Sequence, residues 1–209
     1  MNALSDIHSA TRLSVRDLRS RFAGPFTFDL AAGECLAVRG PSGAGKSVLL
    51  RMLADLDPHE GQVMLDGAAC STMKGTAWRR RVVYQSAEPA WWERTAKEHF
   101  TPAQLSSVEA MLRELGMKNE LLQTEISRLS TGERQRMALI RSIAAGPQVL
   151  LLDEPTAALD PSSVIAVESM LEKCLAKGMS LIIVTHSHEQ AQRLAGRILH
   201  IENGAFASP

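Results

Sequence analysis

The sequence predicts an α/β fold: a parallel sheet flanked by helices, with an antiparallel β ledge and an inserted helical lobe. Three observations carry that prediction. First, Val149 to Leu152 and Leu181 to Val184 are continuous apolar runs of strand length, separated by a helical stretch from Ser163 to Lys177, which is the pattern of a βαβ crossover buried on both faces. Second, the apolar run Cys35 to Val38 leads through a glycine-rich turn into the helix formers Val48 to Leu53. Third, Phe26, Phe28 and Leu30 alternate in an early strand beside Leu13 to Leu18, as in a half-buried antiparallel pair.

The remaining elements follow in order. Gly61 to Gly67 reads as a strand closed by a turn, and Arg81 to Gln85 as a further strand. From Ser86 to about Leu129 the chain turns helical and more polar; Leu105, Val108, Met111, Leu112 and Leu115 recur at helical spacing, with Gly116 as a stop. Glu133 to Ala145 mixes Met137, Leu139, Ile140 and Ile143 with arginines and ends at Gly146-Pro147, an amphipathic helix. The chain divides into a core of about 1–85 and 146–209, and a lobe of about 86–145.

At 209 residues, one such domain fits. The 23 basic and 23 acidic residues cancel, which argues against a dedicated nucleic-acid binder. Cys35, Cys70 and Cys174 have no metal spacing and suit a reducing compartment. Met1 to Ser14 lacks a basic start followed by an apolar core, so no secretory signal is expected, and no apolar run approaches the ~20 residues that span a bilayer.

The turn is Gly40-Pro41-Ser42-Gly43-Ala44-Gly45-Lys46-Ser47, the spacing of a loop that wraps phosphates. Its glycines let successive N–H groups face an anion at the positive end of the following helix. Lys46 is placed to pair with the β and γ phosphates, and the Ser47 hydroxyl to ligate Mg²⁺. Asp153 and Glu154 follow the Val149 to Leu152 run directly, at the carboxyl end where open α/β sheets hold ligands. Asp153 would hold Mg²⁺ through its water shell, and Glu154 would take a proton from an attacking water. The competing structural reading is that Asp-Glu-Pro only caps the next segment.

Leu129-Ser130-Thr131-Gly132-Glu133-Arg134-Gln135-Arg136, placed between Gln85 and Asp153, resembles the signature of ABC (ATP-binding cassette) ATPases, usually Leu-Ser-Gly-Gly-Gln. The letters also satisfy a plain N-capping serine ahead of a helix. The resemblance covers nearly the whole chain and implies a P-loop NTPase core that binds and hydrolyses ATP. It implies that Ser130, Thr131, Gly132 and Glu133 reach the γ-phosphate of ATP held by an opposite subunit. Gln85 would contact Mg²⁺ and the catalytic water and hinge the lobe. Asp160, in Ala158-Leu159-Asp160, would lie on a loop crossing the dimer interface, and His186 would contact the γ-phosphate; His188 reads as solvent-facing. Phe22 stands where an aromatic stacks on adenine, with core packing beside Phe26 and Phe28 as the competing role. Thr131, Ala158 and Val48 depart from the family pattern without removing a catalytic group.

The resemblance further implies a homodimer sandwiching two ATP molecules and driving a separately encoded membrane permease from the cytoplasmic face of the membrane. Trp91 and Trp92 fall in the region that meets the permease, one reading as core and one as an exposed anchor, with simple lobe packing as the alternative. Among families the chain looks like compact subunits such as those of metal export or of lipoprotein and lipid handling. The alternative function is a non-transport ABC ATPase of DNA repair or translation; a P-loop kinase stands further off.

Overall fold

The computed structural model describes residues 10–207, so most of the opening segment read for a secretory signal lies outside the described residues. The elements are β1 (Thr11–Arg19), β2 (Phe26–Ala31), β3 (Cys35–Arg39), α1 (Lys46–Leu53), β4 (Glu60–Leu65), β5 (Ala68–Ala69), α2 (Gly75–Arg81), β6 (Val82–Gln85), α3 (Leu105–Glu114), α4 (Thr131–Ala144), β7 (Val149–Asp153), α5 (Pro161–Ala176), β8 (Ser180–Val184), α6 (His188–Leu194), β9 (Arg197–Glu202) and β10 (Ala205–Phe206).

Two sheets result. The antiparallel one has the order β2-β1-β4-β5, and its Phe26, Phe28 and Leu30 point to one buried face as the alternation requires. The larger has the order β10-β9-β3-β8-β7-β6, parallel throughout except for the β10 edge. Consecutive strand residues face opposite sides. Leu36, Val38, Leu151, Ile182 and Val184 therefore join a core shared with the antiparallel sheet, α1 and α2. Ala37, Leu150, Leu152, Leu181 and Ile183 join a second core with the residues of α3, α4 and α5. The strands thus carry apolar side chains on both faces, which is why they read as unbroken runs.

The stretch after β6 departs from expectation. Of Ser86 to Leu129, only α3 is α-helical; the rest is loop, an isolated bridge between Thr95 and Glu125, and short 3₁₀ segments at Lys97–His99, Pro102–Gln104, Asn119–Gln123 and Ile126–Arg128. Pro89 and Pro102 cannot donate to a helical ladder, and Gly116, at φ +65°, closes α3 as predicted. Three further elements, α2, α6 and β9, carry no amphipathic pattern strong enough to read. Within α2 the one buried residue is Trp78, whose Nε1 donates to the Leu53 carbonyl at 2.9 Å, where α1 ends.

Candidate functional site

Parallel pairing gathers the predicted residues on one edge. Val38 and Asp153 both pair with Val184, and Gln85 pairs with Leu152. The phosphate loop after β3, His186 after β8, Asp153 and Glu154 at the end of β7, and Gln85 at the end of β6 therefore all leave the carboxyl edge of one sheet, where such sheets hold ligands.

The loop itself needs its glycines. At Gly40, φ +151°, a Cβ would stand 2.1 Å from the Ile201 carbonyl oxygen, so no side chain fits there. Gly45, at φ +100°, takes the N-cap position of α1 with no side-chain cap, which leaves the first-turn N–H groups for an anion. Lys46 is buried and curls over the loop, its Nζ donating to the carbonyls of Gly40 at 2.9 Å and Pro41 at 2.8 Å. Among the described residues no carboxylate forms an ion pair with it, so its charge is held by neutral carbonyls and a phosphate can claim it. Pro41, Ser42, Gly43 and Ser47 are exposed, and Ala44 is buried beneath them.

Glu154 is held in the left-handed region at φ +49°, its N–H donating to the Val184 carbonyl at 3.0 Å. Its Oε1 lies 3.1 Å from His186 Nε2, without the alignment of a hydrogen bond. Burial pushes the Glu154 carboxyl above the ordinary glutamate range; His186 and Lys46 oppose that shift, and Asp153 adds to it. Asp153 is buried and accepts from the Tyr84 hydroxyl at 3.2 Å. Burial, then Asp153, pushes the Tyr84 phenol up, so it stays a donor.

Gln85 is 4% exposed, yet neither its Oε1 nor its Nε2 has a protein partner. Buried carboxamides are normally hydrogen-bonded, so the free donor and acceptor of Gln85 suit a bound water or ion at the strand end. Together, Ser47 Oγ, Gln85 Oε1 and the Asp153 carboxylate are hard oxygen donors, a set whose chemistry fits Mg²⁺.

The signature segment is built as a helix start. Ser130 N-caps α4 in a capping box: the Glu133 N–H donates to Ser130 Oγ at 3.2 Å, and Glu133 Oε2 accepts from the Ser130 N–H and hydroxyl, both at 2.8 Å. Those bonds, the backbone one first, hold the Glu133 carboxyl below its usual range. Thr131 Oγ1 accepts from Arg134 at 3.3 Å. At Gly132 a Cβ would meet Leu159 Cδ2 at 3.3 Å, so the signature packs against the Ala158-Leu159-Asp160 loop. Asp160 is occupied as the N-cap of α5: its carboxylate accepts from the Ser163 N–H at 3.0 Å and from the hydroxyls of Ser162 and Ser163, which hold it far below the usual carboxylate range.

Phe22 is 66% exposed, with the Arg21 guanidinium 4.4 Å from its ring centroid, whereas Phe26 and Phe28 are buried against Phe206. Core packing is therefore not its role. A cavity of about 850 Å³ runs from Phe22 past Ser47 and Val48 to Arg51 and His59. The signature residues do not line it. Thr131 and Ala158 instead face Pro89, Trp91 and Gln135 across a second cavity of about 590 Å³. Trp91 is half-buried and Trp92 69% exposed; the Arg141 guanidinium of α4 lies 4.2 and 4.7 Å from their ring centroids. His188 is exposed, its Nδ1 2.9 Å from Arg39.

Sequence reasoning missed Tyr84 and Gln135. Gln135 on α4 donates from Nε2 to the Glu154 carbonyl at 2.8 Å. Its i+4 spacing from Leu139 places it on the buried stripe, the one signal that could have flagged it.

Known proteins match this arrangement. The family described as ABC transporter matches residues 24–157. The chain is 34% identical over 205 residues to the aliphatic sulfonates import ATP-binding protein SsuB of Cupriavidus necator, covering 93% of this chain and 67% of that protein. It is 32% identical over 209 residues to the tungstate uptake system ATP-binding protein TupC of Peptoclostridium acidaminophilum, covering 92% of this chain and 95% of that one. A solved ATP-binding subunit of an ABC transporter superposes with a TM-score of 0.87 at 24% identity, over 95% of this chain and 89% of the other, which is a likeness of fold. With its phosphate loop, paired carboxylates and signature helix in place, the chain belongs to the ABC transporter family, as an ATP-binding and ATP-hydrolysing subunit.

Proposed function

We propose that this chain forms a homodimer which closes on two ATP molecules, hydrolyses them at the carboxyl edge of the large sheet, and so drives a separate membrane permease. The observation that carries the reading is Glu154, a carboxylate 3.1 Å from His186 with a raised pKa, next to Asp153 on a strand end. In the reaction, the N–H groups of Gly43 to Ser47 and the Lys46 ammonium hold the β and γ phosphates. Glu154 takes the proton of the attacking water, and His186 orients Glu154 and contacts the γ-phosphate. Bound Mg²⁺, held by Ser47, Gln85 and Asp153, would neutralise charge on the β- and γ-phosphate oxygens.

Ser130 to Glu133 serve the ATP of the opposite copy, with Asp160 anchoring the loop between the halves. Loss of the γ-phosphate removes the contact that bridges the copies, and the dimer opens. The core of about 1–85 and 146–209 and the lobe of about 86–145 act as the two bodies of that motion. None of the helices among the described residues is long and apolar enough to cross a membrane. Attachment to the cytoplasmic face comes through the permease, with Trp92 as an exposed anchor.

The relatives are named for aliphatic sulfonates import, tungstate uptake and putrescine transport, and none of these three is named for metal export or lipoprotein handling. Import is the direction we infer, with cargo chosen by the permease, a reading that the spread of cargo among relatives supports. The alternative of a DNA-repair or translation ATPase has no observation in its favour, since the charges balance and these relatives are transport subunits.

The test is capture of partners from native membranes with tagged Glu154→Gln chain and ATP. A copurifying multi-span membrane protein is the expected result; ribosomes or DNA-processing proteins without a permease would sink the reading. Phe22→Ala provides a narrower check. Removing a stacked ring should raise KM for ATP about three- to tenfold and leave kcat nearly unchanged, in line with the modest energy of aromatic pairs. An unchanged KM would remove Phe22 from the adenine site.

A further inference from the structure

Glu154 occupies a backbone conformation, φ +49°, that residues with a Cβ hold only when neighbours fix it. Two hydrogen bonds do so. The Glu154 N–H donates to the Val184 carbonyl on β8 at 3.0 Å, and the Glu154 carbonyl accepts from Gln135 Nε2 at 2.8 Å. The first bond belongs to the sheet that carries Glu154. The second crosses from α4, the helix whose N-terminus is Ser130 to Gly132.

Gln135 is 5% exposed, and its Oε1 has no protein partner. A buried carboxamide left half-satisfied is unfavourable, so packing alone would favour an apolar residue there. Met137, Leu139 and Ile140, on the same helix, follow that rule. The bond to Glu154 is what the amide contributes.

We propose that Gln135 is a positioning residue that sets the direction of the Glu154 carboxylate and ties it to the signature helix. The inference rests on the reading of Glu154 as the base. Because peptide geometry is stiff, shifting the Glu154 carbonyl rotates the residue about φ and ψ and swings its side chain. In the dimer, the signature of one copy meets the ATP of the other, so α4 touches one nucleotide at its start and governs the attack on the second through Gln135. Engagement of the signature thereby orients the carboxylate of the same chain, and the two half-sites fire together.

The experiment uses the full chain with Mg²⁺-ATP and two substitutions. Gln135→Met keeps the volume and removes the donor; Gln135→Asn keeps the amide and falls one methylene short of the carbonyl. Both should lower kcat roughly ten- to hundredfold, the scale of a catalytic group misplaced by about 1 Å, with ATP affinity within about twofold of wild type. In a Glu154→Gln background, Gln135→Asn should bring no further loss in single-turnover hydrolysis, since no base remains to be aimed.

Wild-type kcat in either folded variant overturns the proposal. So does a parallel loss of ATP affinity and kcat, which would mark Gln135 as general scaffolding. If Gln135→Met does not fold, Gln135→Asn decides by the same two criteria. Hydrolysis at the wild-type rate in Glu154→Gln alone would instead overturn the reading of the base, separately from Gln135.

Discussion

Glu154→Gln should reduce kcat for ATP hydrolysis about 10²- to 10⁴-fold, the range of a lost general base, with KM for ATP little changed. The substitution replaces one carboxylate oxygen by an amide nitrogen of the same size. The left-handed backbone, the bond to the Val184 carbonyl and the bond from Gln135 all involve main-chain atoms of Glu154, so they survive it. What disappears is the lone pair that accepts the proton of water. Nucleotide binding, assigned to Lys46 and the loop, has no reason to weaken.

The pH profile gives the same prediction a second readout. Glu154 works as a base only when ionised, and burial raises its pKa. Wild-type kcat should therefore fall as pH drops, with a midpoint above the ordinary glutamate value of about 4.3. That limb should be missing from the residual activity of Glu154→Gln. Steady-state phosphate release between pH 5 and 9 measures both effects, and an unaltered rate in the variant would reassign the base.

Legibility in the sequence followed how local the determining forces were. β3, β7 and β8 are buried on both faces over 35–38, 149–152 and 181–184, so those positions are apolar and the runs stood out. The phosphate loop was legible for a related reason: at Gly40 the backbone touches Ile201, so the chain has no choice of residue. α2 buries one residue, and β9 fully buries only Ile201, so neither has a period to detect. The region after Gln85 mixes apolar residues at helical spacing with Pro89 and Pro102, which interrupt the helix ladder ahead of α3. For the site, residues placed by strand ends were found, because a strand end is a local feature. Gln135 was missed because nothing in a helix says which distant carbonyl its amide meets. The carboxylates of Glu133 and Asp160 are engaged in helix caps, Glu133 in the capping box that the N-capping reading of Ser130 already allowed.

Trp78→Ala should be the most damaging single truncation in the fold, at about 3–5 kcal/mol, the range for a large aromatic removed from a packed core. Trp78 is fully buried in the core that also holds Leu49, Met52 and Leu53 of α1. Its Nε1 satisfies the Leu53 carbonyl, one of the acceptors left without a helical partner at the end of α1, and so ties α2 to α1. Truncation leaves a cavity and an orphaned carbonyl at once. For a chain of this size each kcal/mol moves Tm by about 2–4 °C, so a loss of about 10 °C is expected in a thermal melt. Trp78→Phe separates the two parts: the ring volume largely remains and only the hydrogen bond is lost, so about 1–2 kcal/mol should go. The helix held at its end by Trp78 presents the phosphate loop at its start. A truncated variant that stays folded at low temperature should therefore also bind ATP more weakly, because the free energy of ordering the loop is then drawn from the ligand. Added Mg²⁺-ATP should raise its Tm by less than it raises that of the wild type. Equal shifts would mean that α1 is fixed by its strand neighbours and that Trp78 serves the core alone.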